Sequence, residues 1–272
     1  MGADSVDSVL RLDGTTRLVA IIGDPIAQVK SPGGVTRALQ AQGCNAIVVP
    51  VHVSAGDVDA FLRAAALVRN LDGIIATVPH KFAAYAHCAT ATSRANLLQA
   101  ANTLRRNLDG RWHGDHLDGQ GLVAAMRHGG CEPRGQRALL AGAGGAGSAI
   151  GLALLDAGVA ALGIHDDDAA RRDALVGRLS TRYPDRVAMA GADPTGYAVV
   201  VNATPAGMRE SDPYPVQADK LSGAMFVADV IAVPAVTPLL AIARMRGCRS
   251  ATGNDMFAAV CDLMVEFLLE RP

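Results

Sequence analysis

Residues 137–147 read Arg-Ala-Leu-Leu-Ala-Gly-Ala-Gly-Gly-Ala-Gly, an apolar run that ends in a glycine-rich turn. The helical pattern Ser-Ala-Ile-Gly-Leu-Ala-Leu-Leu follows at 148–155, and three aspartates stand at 166–168. Strand, glycine turn, helix, second strand and acid are the parts of a dinucleotide-binding site, in the order that such a site requires. Glycine also serves ordinary turns, and the chain has 29 glycines. The flanking strand, helix and acids nevertheless favour the dinucleotide site.

The glycines of this turn have separate predicted roles. The first makes the tight turn, the next lets the backbone approach a pyrophosphate, and the last lets the helix pack on the strand. The phosphates then lie at a helix N-terminus, where N–H groups and the helix dipole favour negative charge. The predicted cofactor contacts in the turn are Gly142, Gly144, Gly145, Ala146 and Gly147.

The aspartates after the second predicted strand indicate which dinucleotide binds. A carboxylate there accepts hydrogen bonds from a ribose 2′-OH and repels a 2′-phosphate, which usually needs an arginine. We assign the ribose contact to Asp166 or Asp167, and we expect Asp168 to cap the next helix. Arg171 and Arg172 follow one helical turn later. The sequence therefore predicts NAD rather than NADP, although a solvated turn would carry the same aspartates.

Length and composition set bounds on function. The chain has 272 residues, 50% of them hydrophobic and 19% charged, with a formal net charge of −1. Near-neutral charge argues against a nucleic-acid or membrane-surface partner, and no apolar run reaches membrane length. The polar, acidic N-terminus does not resemble a signal peptide. Five scattered cysteines without a C-x-x-C pair indicate reduced thiols and a cytoplasmic protein.

Apolar runs and helical patterns alternate along the chain. Runs at 17–23, 46–51 and 73–78 alternate with helical patterns at 35–42 and 57–68, which predicts a parallel sheet covered by helices. The pattern restarts after a boundary near 118–121. Further strands are predicted near 137–141, 161–165, 186–190, 197–202 and 226–230, and a last helix near 256–270. The predicted fold class is therefore α/β, with an N-terminal α/β domain followed by a doubly wound, Rossmann-type domain.

Three polar residues precede the glycine turn at positions suited to catalysis. Lys81 follows a predicted strand end, Asn102 follows a small-residue turn, and Asp118 stands at the predicted domain crossing. A lysine can move a proton, an aspartate can orient the lysine, and an asparagine can hold neighbouring hydroxyls. Pockets favour domain junctions. Residue type alone does not establish a site, because surface lysines and aspartates are ordinarily solvated.

Motifs in the same order along the chain resemble those of the shikimate dehydrogenase family. Before the glycine turn, the similar segments are Gly23-Asp-Pro25-Ile26 with Ser31-Pro32, Thr77-Val-Pro79-His80-Lys81, Ala101-Asn102-Thr103 and Asp118-Gly119-x-Gly121. After it, they are the segment 201–208 (Val-Asn-Ala-Thr-Pro-Ala-Gly-Met), Asp229, Thr237-Pro238-Leu239-Leu240 and Gly253-x-x-Met256. The matches run from residue 21 to residue 256, which is nearly the whole chain.

The resemblance implies a domain organisation and a reaction. Residues 1–118, completed by a C-terminal helix at 254–272, would form a substrate-binding catalytic domain, and 119–253 would form the NAD-binding Rossmann domain. The implied reaction is the reversible oxidation of a ring secondary alcohol, with hydride transfer to nicotinamide. Lys81 and Asp118 would be the catalytic pair. The implied substrate contacts are Ser31, Thr77 and Asn102, and the further cofactor contacts are Asn202, Thr204, Ala206, Met208, Gly253 and Met256.

The departures from the family pattern cluster on the substrate side. The first serine of the family's H-S-x-S is Val29, and the glutamine four residues after the G-x-x-M methionine is Val260. In the family these positions help bind the shikimate carboxylate and hydroxyls. We therefore include Val29 and Val260 among the substrate-site residues and expect an altered pocket, which Lys30 or Gln28 could compensate. The other departures are Ile75 for asparagine, His116-Leu117 for Asn-Thr, and Ala232 for tyrosine.

Three functions follow from these patterns. The leading one is an NAD-dependent dehydrogenase of the shikimate or quinate type with a small-molecule substrate. The first alternative is a dehydrogenase for an uncharged or amino-substituted relative of shikimate. The second is a dinucleotide-binding sensor, against which the retained catalytic pair argues. No metal is predicted, because His113, Asp115 and their neighbours would alternate between the faces of a strand. A homodimer is an alternative to a monomer.

Overall fold

The runs at 17–23, 46–52 and 71–76 form the parallel part of the first sheet. The computed structural model describes residues 12–270, so the N-terminal segment 1–11 and the last two residues of the predicted C-terminal helix lie outside the described residues. Strands β1 (Arg17–Gly23), β2 (Ala46–His52), β3 (Leu71–Ala76), β4 (Thr90–Ala91), β5 (Thr103–Arg106) and β6 (Trp112–Asp115) are ordered β2-β1-β3-β5-β6-β4. The helices among them are α1 (Ser31–Ala41), α2 (Val58–Ala65), α3 (Lys81–Ala86) and α4 (Ser93–Leu98).

Two expectations for this half are wrong. The sheet is mixed rather than parallel, because β5 pairs antiparallel with both β3 and β6. Only residues 107–111 join β5 to β6, and so short a connection permits a hairpin but no crossover. Helix α1 begins at Ser31 instead of residue 35, because Pro32 occupies its first turn, where the missing N–H costs nothing.

The second sheet is parallel throughout, and the predicted doubly wound domain is confirmed. After α5 (Asp118–His128) come β7 (Arg137–Ala141), α6 (Gly145–Asp156), β8 (Ala161–His165), α7 (Ala169–Ser180), β9 (Val187–Met189), β10 (Val199–Asn202), β11 (Phe226–Asp229), α8 (Pro238–Met245) and β12 (Arg249–Ala251). The strand order is β12-β11-β10-β7-β8-β9. Chain order reverses at β7, so the residues after β7 and β10 stand at the switch point, where ligands bind in such sheets.

The last helix, α9 (Gly253–Leu269), returns to the first sheet. Leu268 fills the space over Gly73 of β3, Phe267 stacks on His113 with ring centroids 5.7 Å apart, and Phe257 lies over Gly34 of α1. The C-terminal helix is thus packed on the N-terminal sheet, and its assignment to an N-terminal domain stays a prediction. The boundaries at 118/119 and 253/254 stay predictions.

Helix α5 packs closely on both α6 and α9 through two glycines. A Cβ on Gly119 would overlap the carbonyl oxygen of Ala149 in α6, and a Cβ on Gly121 would overlap Val260 of α9. The glycines of the Asp-Gly-x-Gly segment therefore allow two helices to approach α5 from different sides. This approach holds Asp118, the first residue of α5, next to the glycine turn.

None of the helices within residues 12–270 is both long and apolar enough to span a membrane. The five cysteines carry free thiols.

Candidate active site

Lys81 and Asp118 form a buried ion pair. Lys81 is the first residue of α3, after the loop that follows β3, and Asp118 is the first residue of α5. The Nζ of Lys81 donates a hydrogen bond to Oδ2 of Asp118. The two residues are 7% and 8% exposed. An amine placed in this way can exchange a proton with a bound hydroxyl or carbonyl, while the carboxylate fixes its position.

Asn102 holds the carboxylate of this pair. Its Nδ2 donates to Oδ1 of Asp118 over 2.7 Å, and its Oδ1 accepts from the Leu117 N–H over 3.0 Å and from the Thr103 hydroxyl over 3.1 Å. Burial raises the pKa of Asp118, but the charge of Lys81, the neighbouring His116 and the hydrogen bonds from Lys81 and Asn102 outweigh burial and lower that pKa. Asp118 is therefore ionised at neutral pH.

His116 links the same carboxylate to the glycine turn. Its Nε2 lies 3.0 Å from the Gly145 carbonyl oxygen, and its Nδ1 lies 3.9 Å from Oδ2 of Asp118. Burial, together with the charge of Lys81, lowers the pKa of His116 to about 4, so the ring is neutral at pH 7. In the sequence, His116 stands out as a departure from the family's asparagine and as a neighbour of the His113 and Asp115 segment, for which no metal is predicted. That departure, two residues before Asp118, was the signal that could have indicated this contact.

The glycine turn has the geometry that a pyrophosphate site needs. Gly142 has a φ of +104°, and a Cβ there would lie 2.8 Å from the backbone of Ala203 after β10. A Cβ on Gly147 would overlap the Gly142 carbonyl oxygen, so α6 can pack on the turn only through a glycine. Gly144 faces open space instead, with no atom within 4 Å of a Cβ position. These surroundings match the three glycine roles of a Rossmann turn.

The glycine turn also contacts the catalytic pair directly. A Cβ on Gly145 would lie 3.0 Å from Cδ of Lys81, so the lysine stem rests against the start of α6. Ala146 follows at the first turn of the helix, where backbone N–H groups have no helical partner. The predicted dinucleotide turn and the predicted proton-transfer residue therefore meet at one place.

The three aspartates after β8 have different surroundings. Asp168 caps α7 by accepting from the Arg171 N–H over 3.0 Å, as predicted. Asp166 accepts from the Ala143 N–H of the glycine turn over 2.7 Å and from the Arg171 guanidinium over 2.8 Å. Burial raises the pKa of Asp166, but its hydrogen bonds outweigh burial and lower that pKa. The side chain of Asp167 is fully exposed.

Asn202 organises the loop after β10 through hydrogen bonds to protein groups. Its Nδ2 donates over 3.1 Å to both Asp229 and the Ala206 carbonyl oxygen, and its Oδ1 accepts from the Thr204 hydroxyl over 2.7 Å. The side chain thus shapes the loop that carries Thr204 and Ala206. The predicted contact of these three residues with a cofactor stays a prediction.

The remaining predicted cofactor residues lie beyond the ends of β10 and β12. Met208 is about half exposed, whereas Met256 is buried in the first turn of α9. Gly253 begins α9, and a Cβ there would overlap the backbone of Ile231 after β11. A glycine is therefore needed at 253 for this close approach, with or without a cofactor contact.

The predicted substrate-side positions comprise two hydroxyl residues and two valines. Ser31 begins α1, and Thr77 directly follows β3, its methyl group lying over Gly23. Val260 is buried in the main hydrophobic core, and the half-buried Val29 packs against that core. Lys30 and Gln28, which could have replaced the lost polar contacts to substrate, bond to protein groups instead. Lys30 donates to Asn254, and Gln28 donates to the Pro25 carbonyl oxygen.

His113 and Asp115 bond to separate partners and do not join the His116–Asp118 contact. His113 bonds to Thr90, and Asp115 pairs with Arg94 over 2.6 Å. Across residues 12–270, no group of three or more His, Cys, Asp or Glu side chains is arranged to hold a metal ion. His80, next to Lys81, bonds to the Val53 carbonyl oxygen over 2.7 Å and ties this loop to the end of β2.

Comparison with known proteins agrees with this geometry. The family model described as the shikimate dehydrogenase substrate binding domain matches residues 21–104. The quinate dehydrogenase of Corynebacterium glutamicum in complex with NAD has a similar structure, with a TM-score of 0.83 and 26% identity over 93% of this chain and 94% of that one. The ligand-free 5-ketofructose reductase of a Gluconobacter strain is also similar, with a TM-score of 0.82 and 26% identity over 94% of each chain.

A relative of known identity establishes the family to which this chain belongs. The NADP-dependent shikimate dehydrogenase of Rubrobacter xylanophilus is 35% identical over 254 residues, which cover 92% of this chain and 89% of the relative. Similarity of this extent covers most of both chains. The chain is thus a member of the shikimate dehydrogenase family of NAD(P)-dependent oxidoreductases.

Proposed function

We propose that this protein is an NAD-dependent dehydrogenase that reversibly oxidises a ring secondary alcohol of the shikimate or quinate type. The observation that carries the proposal is the buried Lys81–Asp118 ion pair in contact with the glycine turn at Gly145. A sensor would need the turn but not a buried proton-transfer pair beside it. The reaction would take place in the cytoplasm, as the free thiols suggest.

The residues of the site have different roles in proton transfer and substrate binding. Lys81 donates a hydrogen bond to Asp118. With its proton in place, Lys81 can protonate a carbonyl oxygen of the substrate in the reducing direction. In the oxidising direction, Lys81 first releases that proton to solvent and then accepts the proton of the substrate hydroxyl, while the hydride leaves the same carbon for the dinucleotide. Asp118 holds the amine in place, and Asn102 fixes the carboxylate. Hydroxyls of Ser31 and Thr77 would bind the substrate ring.

A nicotinamide dinucleotide would supply the hydride acceptor when bound. Its pyrophosphate would lie over Gly144, which faces open space just before the N-terminus of α6. The fit rests on the three distinct glycine environments of the turn rather than on the glycine pattern alone.

NAD is the proposed dinucleotide, although the Rubrobacter relative is named for NADP. The support is electrostatic. Asp167 is fully exposed at the end of β8, where a 2′-phosphate would have to lie. The two nearby arginines are both paired with aspartates, Arg171 with Asp166 and Arg172 with Asp173. A 2′-phosphate would thus meet a carboxylate before it met an available cation.

The apolar residues at the substrate-side positions favour a second candidate, a ring alcohol or ketose without a carboxylate. Val29, Ile75 and Val260 offer no hydrogen bond to a charged group, and leaving such a bond unmade costs a few kcal/mol. The structurally similar Gluconobacter enzyme is named for 5-ketofructose, which carries no carboxylate. The two candidates share the catalytic pair and differ in the substrate group that faces these side chains.

The test is NADH formation, followed by absorbance, with shikimate, quinate and carboxylate-free cyclic polyols. We expect Lys81→Ala to lower kcat by about 100-fold or more, because positioned acid–base groups contribute at least that much. Lys220→Ala, which removes a half-exposed lysine paired with Asp193, is the matched control and should leave kcat unchanged. Near-native turnover in Lys81→Ala would exclude the proposed role. NAD binding without turnover of any alcohol would favour the sensor.

A further inference from the structure

His116 is buried between the two parts of the proposed active site. Its side chain has no solvent exposure, and it touches the glycine turn with one nitrogen and faces Asp118 with the other. Because a carbonyl oxygen only accepts, the short contact with Gly145 requires the proton on Nε2. The neutral ring therefore presents the lone pair of Nδ1 toward the catalytic pair.

The Nδ1 atom has no hydrogen-bond partner among the described residues, although it is buried. Asp118 is ionised and accepts only, so the 3.9 Å approach of its Oδ2 to Nδ1 is not a hydrogen bond. Buried polar atoms without partners are rare in folded proteins. The charged groups that act on the ring are Asp118, Lys81 and Asp115.

We propose that His116 is a positioning residue that couples the glycine turn to the Lys81–Asp118 pair. The proposal rests on the proposed function. Lys81 and His116 both contact Gly145, one through its aliphatic stem and the other through Nε2–H. Any displacement of the turn on dinucleotide binding therefore moves the ring against Asp118 and the lysine stem together. The hydrogen bond to Gly145 holds the turn in the position at which Lys81 is aligned.

Two substitutions distinguish the roles of the two ring nitrogens of His116. The amide of His116→Gln can reach the position of Nε2 and keep the hydrogen bond to Gly145, whereas the shorter His116→Asn replaces only the Nδ1 end. We expect the Kd for NAD, measured by calorimetry, to stay within about twofold of wild type in His116→Gln and to rise about fivefold in His116→Asn, the usual effect of one neutral hydrogen bond. A merely structural role would weaken both variants alike.

A second measurement needs no substitution. In wild-type protein labelled with ¹⁵N-histidine, the His116 signals should report the Nε2–H tautomer and should shift when NAD is added. Equal NAD affinity in both variants and wild type, equal weakening in both variants, or unchanged ¹⁵N signals would overturn the coupling while leaving the proposed dehydrogenase intact. Failure of the wild-type protein itself to bind NAD would instead overturn the proposed function.

Discussion

Neighbouring aspartates at the end of β8 have different surroundings although their side chains are chemically identical. Asp166 is bound to Ala143 of the glycine turn and to Arg171, so its charge is already balanced. Asp167 is exposed, and neither an arginine nor a lysine among the described residues forms an ion pair with it; the ring of His165 lies 3.7 Å away. At the residue scale, the uncompensated carboxylate is therefore the one that should select the dinucleotide.

Asp167→Arg should shift cofactor preference toward NADP. Two unit charges 4 Å apart interact by about 1 kcal/mol in water, and this substitution changes the local charge by two units. We expect the ratio of kcat/KM for NAD to that for NADP to fall about tenfold or more. Asp219→Arg, which adds the same charge before β11 at the other end of the sheet, is the control. A ratio that moved equally in both variants would refute the assignment.

His116 should also make the fold sensitive to acid. Its pKa is about 4 in the folded protein because of burial, against 6.5 ordinarily, so the unfolded chain binds more protons between these pH values. The free energy of unfolding should therefore fall as the pH drops from about 6.5 to about 4, by about 3 kcal/mol from this ring. The charged groups that face the ring, Asp118, Lys81 and Asp115, are the same in wild type and in a His116 variant.

Urea unfolding of wild type and His116→Gln at pH 7 and pH 4 measures this contribution. The variant should lose about 3 kcal/mol less than wild type between these two pH values. His113, whose pKa is also lowered by burial, contributes equally to both proteins and cancels. Parallel loss of stability in the two proteins would mean that His116 is not buried as a neutral ring.

At the scale of elements, α5 decides how the two sheets meet. Gly119 faces α6 and Gly121 faces α9, two residues apart on the same helix. Both contacts are too close for a Cβ, and both lie within one turn of Asp118. The site therefore depends on helix packing as much as on its own side chains.

Gly119→Ala should destabilise the protein, because its Cβ would overlap a backbone oxygen, which cannot turn away as a side chain can. We expect the free energy of unfolding to fall by about 2 kcal/mol or more. Gly177→Ala in α7 is the matched control: no atom lies within 4 Å of its Cβ position, so it should raise the free energy of unfolding by about 0.5–1 kcal/mol. Urea midpoints measure both, and a Gly119→Ala protein as stable as wild type would contradict the packing.

At the scale of the whole molecule, one hydrophobic core joins the two halves. The same cluster of buried residues contains Ile21 and Ile75 of the first sheet and Leu140 and Val201 of the second. The helices α5, α6 and α9 connect them. The halves consequently share stabilising contacts that neither keeps alone.

This shared core predicts a single unfolding transition in calorimetry. NAD at 100 times its Kd should stabilise the folded state by about 2.7 kcal/mol and should move the whole transition to higher temperature. A chain with independent halves would instead show two transitions, only one of which responds to NAD.

Much of the fold and part of the site could be predicted from sequence. The strands at 137–141 and 161–165, the glycine turn and the Asp168 cap all depend on residues close together in the chain. Periodicity and glycine spacing report such local conformations directly. The mixed first sheet was not predicted, because strand direction depends on which strand pairs with which.

The sequence by itself determined the elements, their order and the residue types available for chemistry. The tertiary structure alone decided which of these residues meet. Lys81 and Asp118 are 37 positions apart, and His116 and Gly145 are 29 apart, so no local pattern encodes either contact. The charge states of Asp118 and His116 were decided in the same way, because burial and nearby charges act through space rather than along the chain.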